Sequence, residues 1–253
     1  MELLFYMILL SPVLASGAQG PKRPQKPASA YFSICHRSDP NISGCIKNTI
    51  EDLRPTLIKG TPELDLIPLD PLNIPRLELR EGGGNFRFEQ VLTNVTIHGL
   101  GAFKLLNVKA DTDNLTLDMH MLTPFMRFDA YYEMEGKVLV VPLSGKGDCV
   151  VNFTDVTTIA HTQLELVTRD GDQYLNVQKV EWNIDAENCH FHFNNLFGGD
   201  KALGANTNAF LNKNWREAFD TFKYLAEEAF GILFRDLTNR VYRHFTYKEL
   251  LPE

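Results

Sequence analysis

Between Leu72 and about Phe193, apolar residues recur at every second position. The runs are Leu77-x-Leu79, Leu115-x-Leu117-x-Met119-x-Met121, Met126-x-Phe128-x-Ala130-x-Tyr132, Leu164-x-Leu166 and Val180-x-Trp182-x-Ile184. Such alternation predicts antiparallel strands with one wet face. Turn signals separate them: Gly82-Gly83-Gly84-Asn85, Asp111 to Asn114, Glu135-Gly136-Lys137, Ser144 to Asp148, and Arg169-Asp170-Gly171-Asp172. The short connections predict a meander. Ahead of it, Ser43 or Gly44 is positioned to cap an amphipathic helix through Ile46, Ile50, Leu53 and Leu57, which Pro62 and Pro68 end.

Past Asn208 the period changes. Leu211, Trp215, Ala218, Phe222, Leu225, Ala229, Leu233, Leu237, Val241 and Phe245 follow one another at intervals of three and four, which predicts one long helix reaching about His244. Some 36 residues at 1.5 Å each extend ~54 Å, the width of a small domain. Phe219, Ala226, Phe230 and Phe234 broaden its apolar face and leave a narrow charged stripe of Arg216, Asp220, Lys223, Glu227 and Arg235. A helix this apolar must be wrapped, and only the sheet is large enough to curve around it. The inner surface is rich in Met, Phe and Leu, adaptable side chains that suit either core packing or an apolar cavity.

The N-terminus changes the compartment. Leu3 to Ala15 is an apolar run of about a dozen residues, too short to span a bilayer and the right size for a signal-peptide core. Ala15 and Gly17 sit where a signal peptidase reads, so residues 1–17 are expected to be removed, and a Pro/Lys-rich linker covers the rest of 18–30. No later stretch is long and apolar enough to span. Stable membrane insertion is therefore not expected.

Secretion makes the 4 cysteines readable as disulfides. Cys35 and Cys45 flank the turn-rich Asp39-Pro40-Asn41 and pair with each other, which leaves Cys149 to pair with Cys189. A metal site from Cys149, Cys189, His190 and His192 lacks the close Cys-x2-Cys spacing that zinc favours, and the two histidines read as a solvent-facing stripe. Sequons at Asn41, Asn94, Asn114 and Asn152 mark glycosylation candidates on exposed strands or turns. The formal charge of -7, with no Lys/Arg cluster against it, argues against nucleic acid as a partner.

Three strings carry a resemblance: Asp70-Pro-Leu-Asn-Ile-Pro75, Phe193-Asn-Asn-Leu-Phe-Gly-Gly-Asp-Lys201, and Asn206-Thr-Asn-Ala-Phe-Leu-Asn-Lys-Asn-Trp215 leading into the long helix. With the early cysteine pair and the C-terminal Tyr247-Lys-Glu-Leu-Leu-Pro252, they resemble the insect takeout and haemolymph juvenile-hormone-binding protein family over the whole mature chain. The resemblance implies an α+β fold, a long C-terminal helix wrapped by a strongly curved antiparallel sheet, as in other tubular lipid-binding proteins. It also implies an internal hydrophobic tunnel and one secreted domain over 31–253. The pair Cys149 and Cys189 resembles the juvenile-hormone carriers, whereas many takeout-like members have only the first pair.

The expected function is non-covalent carriage of a small hydrophobic ligand, such as a juvenile-hormone-like terpenoid or a fatty acid, in haemolymph or a similar fluid. Met119, Met121, Phe128 and Tyr132 are expected to face Phe222, Phe230 and Phe234, with Tyr132 or Trp215 as a polar handle. An enzyme is the rival class and finds no motif. Ser144 lacks a nucleophile elbow, Gly145-Lys146-Gly147 is no phosphate loop, and Glu227 and Glu228 read as a solvated helix face. No cofactor is called for. An extracellular signalling or partner-binding glycoprotein without a small ligand is the third class.

Overall fold

The computed structural model describes residues 26–83, 86–138 and 141–253. The expected signal segment 1–17 lies outside them, as does the linker up to residue 25. The linker's far end is not loose: a single turn at Ala28–Ala30 buries Ala28 beside Leu64 and Phe245, so the packed body begins before residue 31.

Helix α1 (Ile42–Lys59) starts two or three residues earlier than the capping signal suggested, with Asn41 as its N-cap. Ser43 is occupied elsewhere, its Oγ accepting from Ala110 N at 3.0 Å. Six strands follow: β1 (Leu72–Gly83), β2 (Phe86–His98), β3 (Lys104–Asp111), β4 (Thr116–Val138), β5 (Val141–Arg169) and β6 (Asp172–Phe193). They form one antiparallel sheet in the order β1-β2-β4-β5-β6, and β3 also pairs with β4. β2 takes the Arg127 to Glu135 half of β4 and β3 takes the Thr116 to Leu122 half, so β2 and β3 act as one interrupted strand. The interruption is pinned by Asp70, whose carboxylate accepts from Gly99 N and Gly101 N at 2.9 to 3.1 Å. At Gly99 (φ 92) a Cβ would lie 2.1 Å from Phe125 O, so only glycine fits.

Two expected turns are strand instead. Glu135-Gly136-Lys137 lies inside β4 and Ser144 to Asp148 inside β5, and the two strands stay paired as far as Val138 with Val141. The two glycines of β5 serve a close approach. Added Cβ atoms at Gly145 and Gly147 would come within 3.0 Å of Asn195 O and 2.8 Å of Asn194 O, where the chain leaving β6 crosses the sheet. Asp170-Gly171, by contrast, is the expected hairpin turn, with both residues at positive φ.

A 29-residue strand such as β5 would be ~95 Å long if straight, far beyond the ~42 Å of a 28-residue helix. The sheet is accordingly curled around the helical layer. Sidedness changes along the way. Buried positions are odd-numbered up to Thr123 in β4 and even-numbered from Ala130, while β5 switches from Val151 to Val156 and β6 from Ala186 to Cys189. The switch falls on one line across the sheet, Pro124, Asp155 (φ 47) and Glu187, with the same pairing register on either side.

The long helix is two helices. α2 (Lys201–Lys213) begins before Asn208, capped by Asp200, and the chain bends at Asn214 (φ -111, ψ 34) into α3 (Trp215–Tyr242). A short α4 (Tyr247–Leu250) with a capping box closes the chain. β6 is an edge strand, and side chains of α2 and α3 bond its open edge. Asn208 bonds Phe193 N and O, Asn212 bonds Phe191 N and O, and Asn239 bonds Val177 N and O, all at 2.7 to 3.0 Å. Between them Glu227 accepts from Ile184 N at 2.8 Å and Arg216 donates to Ala186 O at 2.6 Å. Glu227 is thus an edge partner, contrary to its reading as a solvated helix face, and Arg216 of the charged stripe is another.

Asn212→Ala would leave both peptide groups of Phe191 without these partners. The expected cost is about 2 kcal/mol, or a melting temperature lower by about 4–8 °C, whereas Lys213→Ala should change little. Thermal circular dichroism of the two variants checks it.

Candidate functional site

The eight residues expected to contact a ligand all lie between sheet and helices, in three neighbouring clusters. Phe128, Tyr132, Phe222 and Phe230 share one with Leu211 and Ala218. Met119, Met121 and Phe234 share a second with Ile46 and Ile50 of α1. Trp215 stands apart beside Phe219, Val156 and Ala186, under the Arg216 guanidinium at 4.4 Å. The first two clusters are adjoined by Trp182, which the alternation placed on a strand without assigning it to a site. Its ring centroid lies 6.2 Å from Phe230 and 5.5 Å from Phe234.

Packing along α3 is incomplete. Its fully buried residues are Ala218, Phe219, Leu225 and Gly231, while Phe222, Phe230, Leu233 and Phe234 touch the core yet keep intermediate exposure. α1 buries no residue completely, although Ile46 and Ile50 pack inward. Tyr132 is 0% exposed, and its hydroxyl donates to Asn194 O at 2.6 Å. That proton is committed to the crossing segment, so Tyr132 is a structural anchor before it is a handle.

Cys35 and Cys45 form the expected disulfide, with Cα atoms 5.8 Å apart. Cys149 and Cys189 do not: both are buried free thiols. Cys149 lies opposite Phe193 and Cys189 opposite Phe153, so the pair is offset by four residues, about 13 Å along the strands, against the ~7 Å that a disulfide spans. His190 and His192 are exposed, on the face opposite buried Cys189. Among the described residues no group of three His, Cys, Asp or Glu side chains is placed to hold a metal ion. Asn41, Asn94 and Asn114 are exposed and Asn152 is half-buried. An open groove of about 430 Å³ lies on the outer face beside Asn94, lined by Tyr131, Asp129 and Asp148, and it contains none of the eight predicted contacts. No helix among the described residues is long and apolar enough to cross a membrane.

A family model described as haemolymph juvenile hormone binding protein matches residues 9–252. The circadian clock-controlled protein daywake of Drosophila yakuba is 28% identical over 199 residues, 76% of each chain. A putative beta-carotene-binding protein of Schistocerca gregaria is 20% identical over 218 residues, 85% of this chain and 86% of its own. The crystal structure of Epiphyas postvittana Takeout 1 aligns with a TM-score of 0.76 at 20% identity, covering 87% of this chain and 99% of that one; the likeness is one of fold.

Burial pushes the Cys149 and Cys189 thiols from 9.0 up to about 12, and the Tyr132 phenol from 10.0 up to about 12. The unfolded chain therefore loses these protons first. Stability is full below pH ~9 and falls as pH rises towards ~12, because the native state holds more protons there. Denaturant titration at pH 8 and pH 10.5 should show the drop, and Cys149→Ser should lessen it. At pH 8 iodoacetamide should label neither thiol in the native protein and both after denaturation.

Proposed function

The chain belongs to the haemolymph juvenile hormone binding protein family, and from that premise we propose that it is a secreted carrier of a small hydrophobic molecule, held non-covalently between α3 and the curled sheet. The observation that carries this reading is the half-covered apolar face of α3, where Phe222, Phe230, Leu233 and Phe234 point into the fold without being sealed by it. An apolar guest lying lengthwise along that face would complete the burial. Removing ~350 Å² of apolar ligand surface from water contributes about 9 kcal/mol before ordering costs, enough for micromolar binding without covalent chemistry. A terpenoid or fatty-acid derivative has the shape and polarity for such a space.

Secretion rests on the Leu3 to Ala15 run, the Cys35 to Cys45 disulfide and the exposed sequons. Binding, not catalysis, follows from a site lined by hydrocarbon and aromatic rings.

Protein secreted from insect cells should lose mass on enzymatic deglycosylation, with Asn94 and Asn114 among the occupied sites. In native mass spectrometry the same material is expected to carry lipid, or to take up members of a fatty-acid and terpenoid panel. Absence of both would sink the carrier reading and favour a partner-binding role. Phe230→Trp should reduce uptake several-fold with circular dichroism unchanged, since the larger ring fills the space beside Trp182.

A further inference from the structure

The outer face of the sheet is irregular where β2 meets β4. Between Thr93 and Thr96 the pairing slips, so that Asn94 and Val95 stand opposite the single residue Ala130, a β-bulge. Val95 turns inward and is 1% exposed, while Asn94, in the left-handed region at φ 52, is exposed. Asparagine adopts that conformation more readily than most residues. The bulge therefore holds the acceptor of the Asn94-Val95-Thr96 sequon at the rim of the open outer groove.

The groove offers a ring beside two carboxylates. Thr93 of β2, Tyr131 of β4 and Asp148 of β5 form one cross-strand row, each ~4.8 Å from the next, and Tyr131 is 36% exposed. Asp129 lines the groove beside them, and its bonds to Arg127 Nε and Nη2 at 2.7 to 3.1 Å hold it below the usual carboxylate range. A cation would thus find one of the two carboxylates already neutralised. An apolar guest would have to lie against both. A pyranose ring suits the whole lining, because its C–H face packs on the tyrosine ring while its hydroxyls donate to the carboxylates. The volume of about 430 Å³ lies within the ~300–1,000 Å³ typical of small-molecule sites.

We propose that this groove seats the first N-acetylglucosamine of a glycan on Asn94, stacked on the ring of Tyr131. The proposal rests on the secretion part of the carrier reading and gives the sugar a place and a task. Tethering fills the seat. A sugar binds a lone aromatic ring weakly, but a short covalent link supplies an effective concentration of about millimolar, which a free sugar in extracellular fluid does not reach. Once seated, the sugar bridges β2 to β4 and β5 where the bulge interrupts their ladder. Ala130 and Cys149 line the same groove and also belong to the inner cluster with Phe128, Phe222 and Phe230. The glycan braces the wall of the apolar interior from outside.

The test uses the whole protein secreted from insect cells, with glycopeptide mass spectrometry reporting the occupancy of Asn94. Tyr131→Thr removes the ring but keeps a strand former, and Asn94→Gly removes the sequon but keeps the left-handed backbone. With the glycan present, Tyr131→Thr should lower the melting temperature by about 2–4 °C more than it does in the Asn94→Gly background. Tyr131→Phe, which keeps the ring, should show no such extra loss. Equal losses in the two backgrounds, or a bare Asn94 in the unmodified protein, overturn the seat and leave the carrier reading standing. A chain retained in the cell with no glycan on any sequon overturns both. A measurement on the unmodified protein is independent of the ring variants. After labelling with 13C-glucosamine, the ring C–H signals of the Asn94-linked sugar, assigned by their loss in Asn94→Gly, should lie upfield of their positions in the urea-denatured glycoprotein. The Tyr131 ring current is the cause, and coincident positions overturn the proposal.

Discussion

The exposed edge of β6 is the constraint on which the rest of the structure depends. A strand that ends a sheet presents a row of unpaired N–H and C=O groups, and here that strand is 22 residues long. α2 and α3 answer it with side-chain amides, each of which imitates a neighbouring peptide by donating and accepting at once. The spacing works because four helical residues advance ~6 Å and two strand residues ~6.6 Å. Asn208 and Asn212 therefore meet Phe193 and Phe191 in antiparallel order, and Asn239 meets Val177 far along the same line. Once those contacts are made, the direction of α3 and the face it turns to the sheet are both determined.

The sheet also changes sidedness along one line across β4, β5 and β6. Curling alone does not require this, since a barrel keeps one parity facing inward along each strand. Pro124, Asp155 and Glu187 make the change together, one irregular residue per strand, so the pairing register survives. Asp70 does a related task at the break between β2 and β3. There a carboxylate takes the backbone N–H groups of Gly99 and Gly101 that the interrupted ladder leaves without strand partners. It is the first residue of one of the strings that carried the family resemblance, and its value is the geometry of this corner.

Sheet, helices and the first disulfide were legible because they follow from periodicity and local turns. What was not legible depended on register. The Asp170-Gly171 hairpin pairs Arg169 with Asp172, and continuing that count sets Cys149 opposite residue 192, close to the observed Phe193 and away from Cys189. The second disulfide was therefore excluded by a turn already recognised. Pairing cysteines by elimination ignored it. Gly145 and Gly147 read as a turn because nothing local in the chain signals the backbone that crosses them. Asn214 broke the long helix although every apolar interval ran through it unbroken, since the period persists across the bend. The site clusters were readable as apolar positions, but the place of Trp182 between two of them was not, because it depends on where α3 crosses the sheet.

Sheet and helices are also tied together at the margins of the fold, away from the partly covered rings of α3. The edge amides hold one side. At one end, burial pushes the Asp65 carboxyl up, but its bonds to Arg243 and His244 outweigh this and hold it below the usual carboxylate range, tying the loop after α1 to the end of α3. Beside it the rings of Tyr31, Phe32 and Phe245 pack together, and Arg37 binds the C-terminal strand of chain through Pro252 O and the Glu253 carboxylate. None of these contacts requires Phe222, Phe230 or Phe234 to be fully packed. A globular domain normally draws most of its stability from a filled core, so a half-covered aromatic face would be expected to collapse or to unfold the chain. Here hydrogen bonds along the β6 edge and clusters at the ends of the helices hold sheet and helices together without calling on those rings.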